Sequence, residues 1–119
     1  MSLTITLPWP HKDLSPNARG HWGKKAAATK TARQTAWAAT LKTGVLRLLA
    51  PGPLSVTTTF FPPDRRAYDE DNLKARMKAS YDGISDAIGV DDKHFRHGPV
   101  EIGQPVKGGS VRIEIREAA

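Results

Sequence analysis

The sequence predicts an α/β (α+β) domain, a single mixed β-sheet of about four strands with two helices packed on one face. Three observations predict it. Apolar residues alternate with polar ones at both ends of the chain, which is the period of half-buried strands. Two stretches between them carry apolar residues at three- and four-residue spacing, which is the period of helices. The resulting order is strand, helix, strand, helix, strand, strand, and it suits one sheet covered by two helices. At 119 residues, positions 1–119 read as one domain.

The first strand rests on Leu3, Ile5 and Leu7 alternating with Thr4 and Thr6, and Pro8 and Pro10 close it. From Trp9 to Lys24 there is no periodicity, only Pro, Gly, Asn and His among cations, so a long loop is expected. Lys25 to Leu49 is rich in good helix formers, with Trp37, Leu41, Val45 and Leu48 as an apolar stripe and Gly44 as a point of early termination. Leu54 to Phe61 is β-branched and aromatic and ends at Pro62-Pro63, a strand expected at the centre of the sheet. A second helix is signalled from Asn72, with Leu73, Met77, Tyr81, Ile84 and Ile88 on one face, Asp71 as N-cap and Gly89 just past the end. Val100 and Ile102 mark a less regular strand. The Lys107-Gly108-Gly109 turn then leads into Val111 to Arg116, which alternates apolar and charged residues.

The net charge of +6 is unevenly spread. Residues 1–49 hold eight Lys/Arg against Asp13, giving +7, and residues 50–119 hold ten against eleven Asp/Glu, giving −1. A basic segment offset from an acidic cluster suits binding of a polyanion beside a divalent cation, although a solvated basic face with capping aspartates has the same composition. The absence of cysteine excludes disulfide scaffolds, thiolate metal sites and thiol nucleophiles. No apolar run approaches the length of a membrane span, and Met1 to Pro8 lacks the features of a secretory signal, so a cytoplasmic protein with no membrane partner is expected.

Two segments carry candidate chemistry. In Arg65-Arg66-Ala67-Tyr68-Asp69-Glu70-Asp71-Asn72-Leu73, an extended backbone would point Asp69 and Asp71 the same way, able to share a hard cation such as Mg²⁺. Asp91 or Asp92 would supply a third carboxylate. A continuous helix of about 17 residues would carry that pair about 25 Å away, so the chain must double back or a second subunit must contribute. Lys78 lies within about 20° of the helix face of Asp71 and would stabilise a phosphate or a departing oxyanion. Capping and favourable interaction with the helix dipole are the structural alternatives for Asp69, Glu70 and Asp71. The basic segment around Arg19, His21, Trp22, Lys24 and Lys25, with Lys30 and Arg33 following, suits phosphate neutralisation with aromatic stacking, or a solvated helix end in which Trp22 plugs the core rim. His94 and His97 have no third ligand at recognisable spacing and read as surface histidines.

Taken together, these residues resemble the RusA family of crossover junction endodeoxyribonucleases, small phage and prophage enzymes that resolve Holliday junctions. The resemblance covers most of the chain. It is carried by Asp69-Glu70-Asp71-Asn72-Leu73, a helix with Lys and the Tyr81-Asp82 pair, Gly89-Val90-Asp91-Asp92, Ser15-Pro16-Asn17 and Pro62. It implies Mg²⁺-dependent hydrolysis, with Mn²⁺ as a plausible substitute, by Asp69, Asp71 and Asp92 as metal-linked carboxylates with Asp91 beside them. It also implies a homodimer nicking opposed strands of a four-way junction. The basic and aromatic residues Arg19, Trp22, Lys24, Lys25, Lys30, Arg33, Arg65 and Arg66 are the expected DNA contacts on their own chemistry. One departure concerns the assisting lysine. The family's best-known form has it four residues after the second aspartate, where this chain has Ala75; counting back four from Asp82 reaches Lys78, with Lys74 as the fallback. A non-catalytic DNA-binding protein of the same fold and a nuclease for other branched DNA are the alternatives.

Overall fold

The computed structural model describes residues 2–15, 20, 22–44 and 52–117. The sheet is built on β2 (Leu54–Phe61) and β5 (Ser110–Glu117), which pair antiparallel along their whole length. On the far side of β5, β1 (Ser2–Pro8) also pairs antiparallel, with Ile5 opposite Ile113. The other edge of β2 takes two short parallel strands in succession. β3 (Phe95–His97) lies beside Leu54 to Val56, and β4 (Glu101–Ile102) lies beside Thr59 and Phe60. The sheet is therefore mixed and five-stranded among the described residues, with β2 inside it. β4 is the strand expected around Val100 and Ile102. β3 has no counterpart in the sequence pattern, because three residues held by a neighbour's edge leave no alternation to read.

One face of the sheet carries the core. Leu3, Ile5 and Leu7, then Val111, Ile113 and Ile115, then Leu54, Val56 and Phe60 are all nearly free of solvent contact. The intervening residues Thr4, Thr6, Arg112 and Arg116 are exposed, as strand period two requires. Helices cover the apolar face. α1 (Trp22–Lys42) begins three residues before the expected Lys25, and it ends well before Leu49 at a turn where Gly44 takes φ 71°. Val45 and Leu48 of the expected stripe lie outside the described residues. Trp37, also assigned to that stripe, is 45% exposed; the residues that α1 buries are Ala36 and Thr40. Small residues win this face because the neighbouring helix comes very close. A Cβ on Gly83 would sit 2.1 Å from the Arg33 carbonyl oxygen and 3.1 Å from the Ala36 Cβ.

The second expected helix is two. α2 (Glu70–Arg76) and α3 (Lys78–Ile88) meet at Met77, whose amide donates to the Lys74 carbonyl only three residues back. This tightened turn breaks the register while Leu73 and Met77 both stay in the core. Asp71 is not the N-cap. Asp69 is, its carboxylate accepting from the amides of Asp71 and Asn72, and Asp71 sits in the first turn. Gly89 ends α3 in the left-handed region at φ 71°, a conformation that L side chains rarely adopt. Because β3 runs parallel to β2, the chain between them must cross over the sheet, and α2 and α3 make that crossover. Among the described residues no helix is long and apolar enough to cross a membrane.

Candidate functional site

The crossover decides where the candidate residues meet. After Gly89 the chain reverses. Asp91 opens a 3₁₀ turn, Asp92–His94, by accepting from the Lys93 amide, and β3 follows directly. This reversal returns Asp92 to the start of α3, where it borders a cavity of about 320 Å³ with Lys74, Lys78, Tyr81, Thr58 and His97. The break at Met77 and the reversal at Gly89 thus bring Asp92 beside Lys74 and Lys78, the lysines that follow Asp71 in the chain.

The floor of this cavity is polar yet fully partnered. Thr58, buried on β2, shares a hydrogen bond with the Tyr81 hydroxyl. Burial raises the Tyr81 pKa, and the bond to Thr58 opposes that shift in part. The Tyr81 ring lies against the imidazole of His97 at 4.5 Å between centroids. Phe95, two residues earlier and on the same strand face, approaches His97 at 6.2 Å. At the mouth, Lys78 is largely exposed and reaches the Asp82 carboxylate at 3.8 Å.

Asp91 and Asp92 are shifted in opposite directions. The Lys93 amide and a hydrogen bond from Asp92 hold Asp91 below the ordinary carboxylate range. The same shared bond pushes Asp92 above it, helped by desolvation and the charges of Asp82 and Asp91, while Lys78 pulls it back. Carboxylates are the donors that a hard divalent cation takes, and Mg²⁺ needs only one or two of them beside waters and phosphate oxygens. Partial burial and then the Lys74 charge hold His97 below the ordinary imidazole range, against an upward pull from Asp92.

Asp69 stands elsewhere. It lines an open cleft of about 720 Å³ between the loops after β1 and β2, with Trp9, His11, Lys12, Arg66 and Arg76 among its neighbours. Asp71 is exposed on the first turn of α2. Among the described residues, no three acidic or histidine side chains stand close enough together to hold one metal ion. Asn72, the next residue of the motif, ties α2 to the segment that follows β1. Its side-chain amide donates to Ser15 Oγ at 2.6 Å, and its carbonyl oxygen accepts from Arg76, which also reaches the Pro10 carbonyl.

The cationic candidates divide by partner. Lys24, Lys25 and Lys30 are exposed along α1, a helix with no acidic residue in its 21 positions, and Trp22 at its start is 77% exposed. Arg33 is engaged instead, forking onto Asp86 of α3 at 2.7 and 2.9 Å. Arg66 pairs with Asp64 and lies over the Tyr68 ring, while Arg65 is exposed beside it. Arg19 lies outside the described residues. Sequence reasoning missed Tyr81, Thr58 and His97 as site residues. The spacing of Tyr81 on the apolar helix face is a signal only for core, and His97 carries none.

No protein-family model matches the sequence. The chain is 43% identical over 114 residues to a protein of Xylella fastidiosa (strain Temecula1 / ATCC 700964) described as "Uncharacterized protein", covering 94% of this chain and 74% of that one. At that identity and coverage the chain belongs to the same family as the Xylella protein.

Proposed function

We propose that this chain is a Mg²⁺-dependent, structure-selective endodeoxyribonuclease of the RusA kind, acting as a homodimer on four-way DNA junctions in recombination and repair in the cytoplasm. The observation that carries the reading is the return of Asp92 to the cavity bordered by Lys74 and Lys78, only a turn or two beyond Asp71. A carboxylate next to ammonium groups in one cavity suits phosphodiester hydrolysis, one for a cation and the others for phosphate charge. The residues that would hold Mg²⁺ are Asp91 and Asp92, with Asp69 and Asp71, and a second protomer is proposed to complete the set. The ion, when bound, supplies charge stabilisation at the phosphate and a more acidic water. Lys78, with Lys74 beside it, neutralises phosphate charge at the cavity mouth. The acid-free α1 would hold the junction arms through Lys24, Lys25 and Lys30, with Trp22 as a stacking surface and Arg65 and Arg66 at the cleft. Contacts of that kind follow phosphates and shape, so binding should fall steeply with salt.

A non-catalytic DNA-binding protein of the same fold is the second reading. It is favoured by the capping role of Asp69 and its separation from Asp92. The experiment that decides compares binding and cleavage of a synthetic four-way junction, a flap and a linear duplex in Mg²⁺ or Mn²⁺. Cleavage of the junction in preference to the others supports the proposal. Preference for the flap makes the chain a nuclease for other branched DNA, and binding without cleavage makes it the non-catalytic protein.

A further inference from the structure

We propose that His97 is a phosphate-binding residue, the third wall of a subsite for one backbone phosphate whose other two donors are Lys74 and Lys78. This deepens the nuclease reading and rests on it for the identity of the substrate, though not for its test.

The inference starts from register. Phe95 and His97 fall on the same face of β3, and pairing with Leu54 and Val56 fixes that face toward α3. Phe95 is buried there and anchors the strand, and the imidazole two residues on, though exposed, borders the cavity. Its ring is then braced by Tyr81 at 4.5 Å, and Tyr81 is itself fixed through its hydroxyl to Thr58. A braced donor loses little freedom on binding a ligand, which is how a binding group differs from an ordinary surface histidine.

The surrounding charge selects the ligand. The His97 imidazole lies within electrostatic reach of Lys74 on one side and Asp92 on the other, and Asp92 lies within reach of Lys78. Lys74, Lys78 and His97 are thus three nitrogen donors around one cavity of about 320 Å³, the small end of ligand-site volumes. Tetrahedral oxyanions take several N–H donors from different directions, and lysine is a common point-charge partner for phosphate. Asp92 adds a charge of the contrary sign to the same cavity.

The test uses inorganic phosphate as the probe and needs no catalysis. The imidazole signals of His11, His21, His94 and His97 are followed by NMR at constant pH, with chloride matched for ionic strength, and the His97 signal is assigned with His97→Gln. Phosphate should move the His97 signal selectively. The double substitution Lys74→Gln/Lys78→Gln, both at exposed positions, should abolish that movement. A His97 signal that phosphate leaves in place, or a movement that survives loss of both lysines, overturns the proposal. If His97 responds and the wild type cleaves no junction, the subsite stands and the nuclease reading falls. If the wild type cleaves and His97 is silent, the nuclease reading stands and the subsite falls.

Discussion

Lys78 and Asp92 border the same cavity although a helix and a reversed turn separate them in the chain, and the Lys78 charge draws the Asp92 pKa down against the carboxylates around it. Lys78 is 79% exposed and its ion pair with Asp82 is long, so the fold does not depend on it. Lys78→Gln should leave the thermal midpoint unchanged and reduce junction cleavage about a hundredfold, the scale on which a charge-stabilising donor acts. Lys74→Gln in the same assay shows which of the two lysines contributes more.

Asp69 can be tested as a cap and as a carboxylate separately. It accepts from two amides at the start of α2, and losing that cap costs about 1 kcal/mol. Asp69→Ala should lower stability in urea unfolding by about that amount. Asp69→Asn keeps the acceptor and should leave stability nearly unchanged while cleavage falls sharply. An Asp69→Asn protein with full cleavage makes Asp69 a cap alone.

Gly83 is where α1 and α3 touch. Glycine to alanine in a helix interior ordinarily adds up to about 1 kcal/mol of stability. Here the added Cβ would lie 2.1 Å from a backbone oxygen that cannot swing aside. Gly83→Ala should therefore destabilise by about 2 kcal/mol through overpacking and lower the thermal midpoint by about 8 °C. Calorimetry of the two proteins checks the sign as well as the size.

The Arg33–Asp86 fork joins the same two helices through charge. Its hydrogen bonds, and then the Arg33 charge, hold Asp86 below the ordinary carboxylate range. A lowered folded-state pKa means stability that is present above the unfolded value and lost as pH falls through the folded one. Wild type should accordingly be more stable than Asp86→Asn at neutral pH. The gap should close in acid below the carboxylate range, and it should narrow in high salt because both groups are exposed. Urea titrations of both proteins at the two pH extremes measure it.

The legible parts of this fold are those whose signal is local. β2 spans Leu54–Phe61 as read, because β-branched residues fill it and Pro62 stops it. Gly89 ends α3 as expected for a left-handed cap. What was not legible depends on partners distant in sequence. Trp37 looks like core by spacing, but the α1 face that Gly83 approaches has room only for Ala36, so the tryptophan is turned out. The break at Met77 has no Gly or Pro to announce it. At the candidate site, Asp92, Lys74 and Lys78 were legible as residue types and not as neighbours, since their meeting depends on the reversal after Gly89. His97 joins them through the parallel pairing of a three-residue strand, which no local pattern encodes.

Catalysis at these carboxylates is tested most directly by Asp71→Asn, because Asp71 is exposed and caps nothing among the described residues. Wild type and Asp71→Asn are each incubated with a synthetic four-way junction in Mg²⁺, and binding is followed in parallel with metal withheld. The nuclease proposal predicts paired nicks from the wild type, equal junction binding by both proteins, and no cleavage by Asp71→Asn. A wild type that binds the junction and leaves it intact in both Mg²⁺ and Mn²⁺, or an Asp71→Asn protein that cleaves as fast as the wild type, would contradict it.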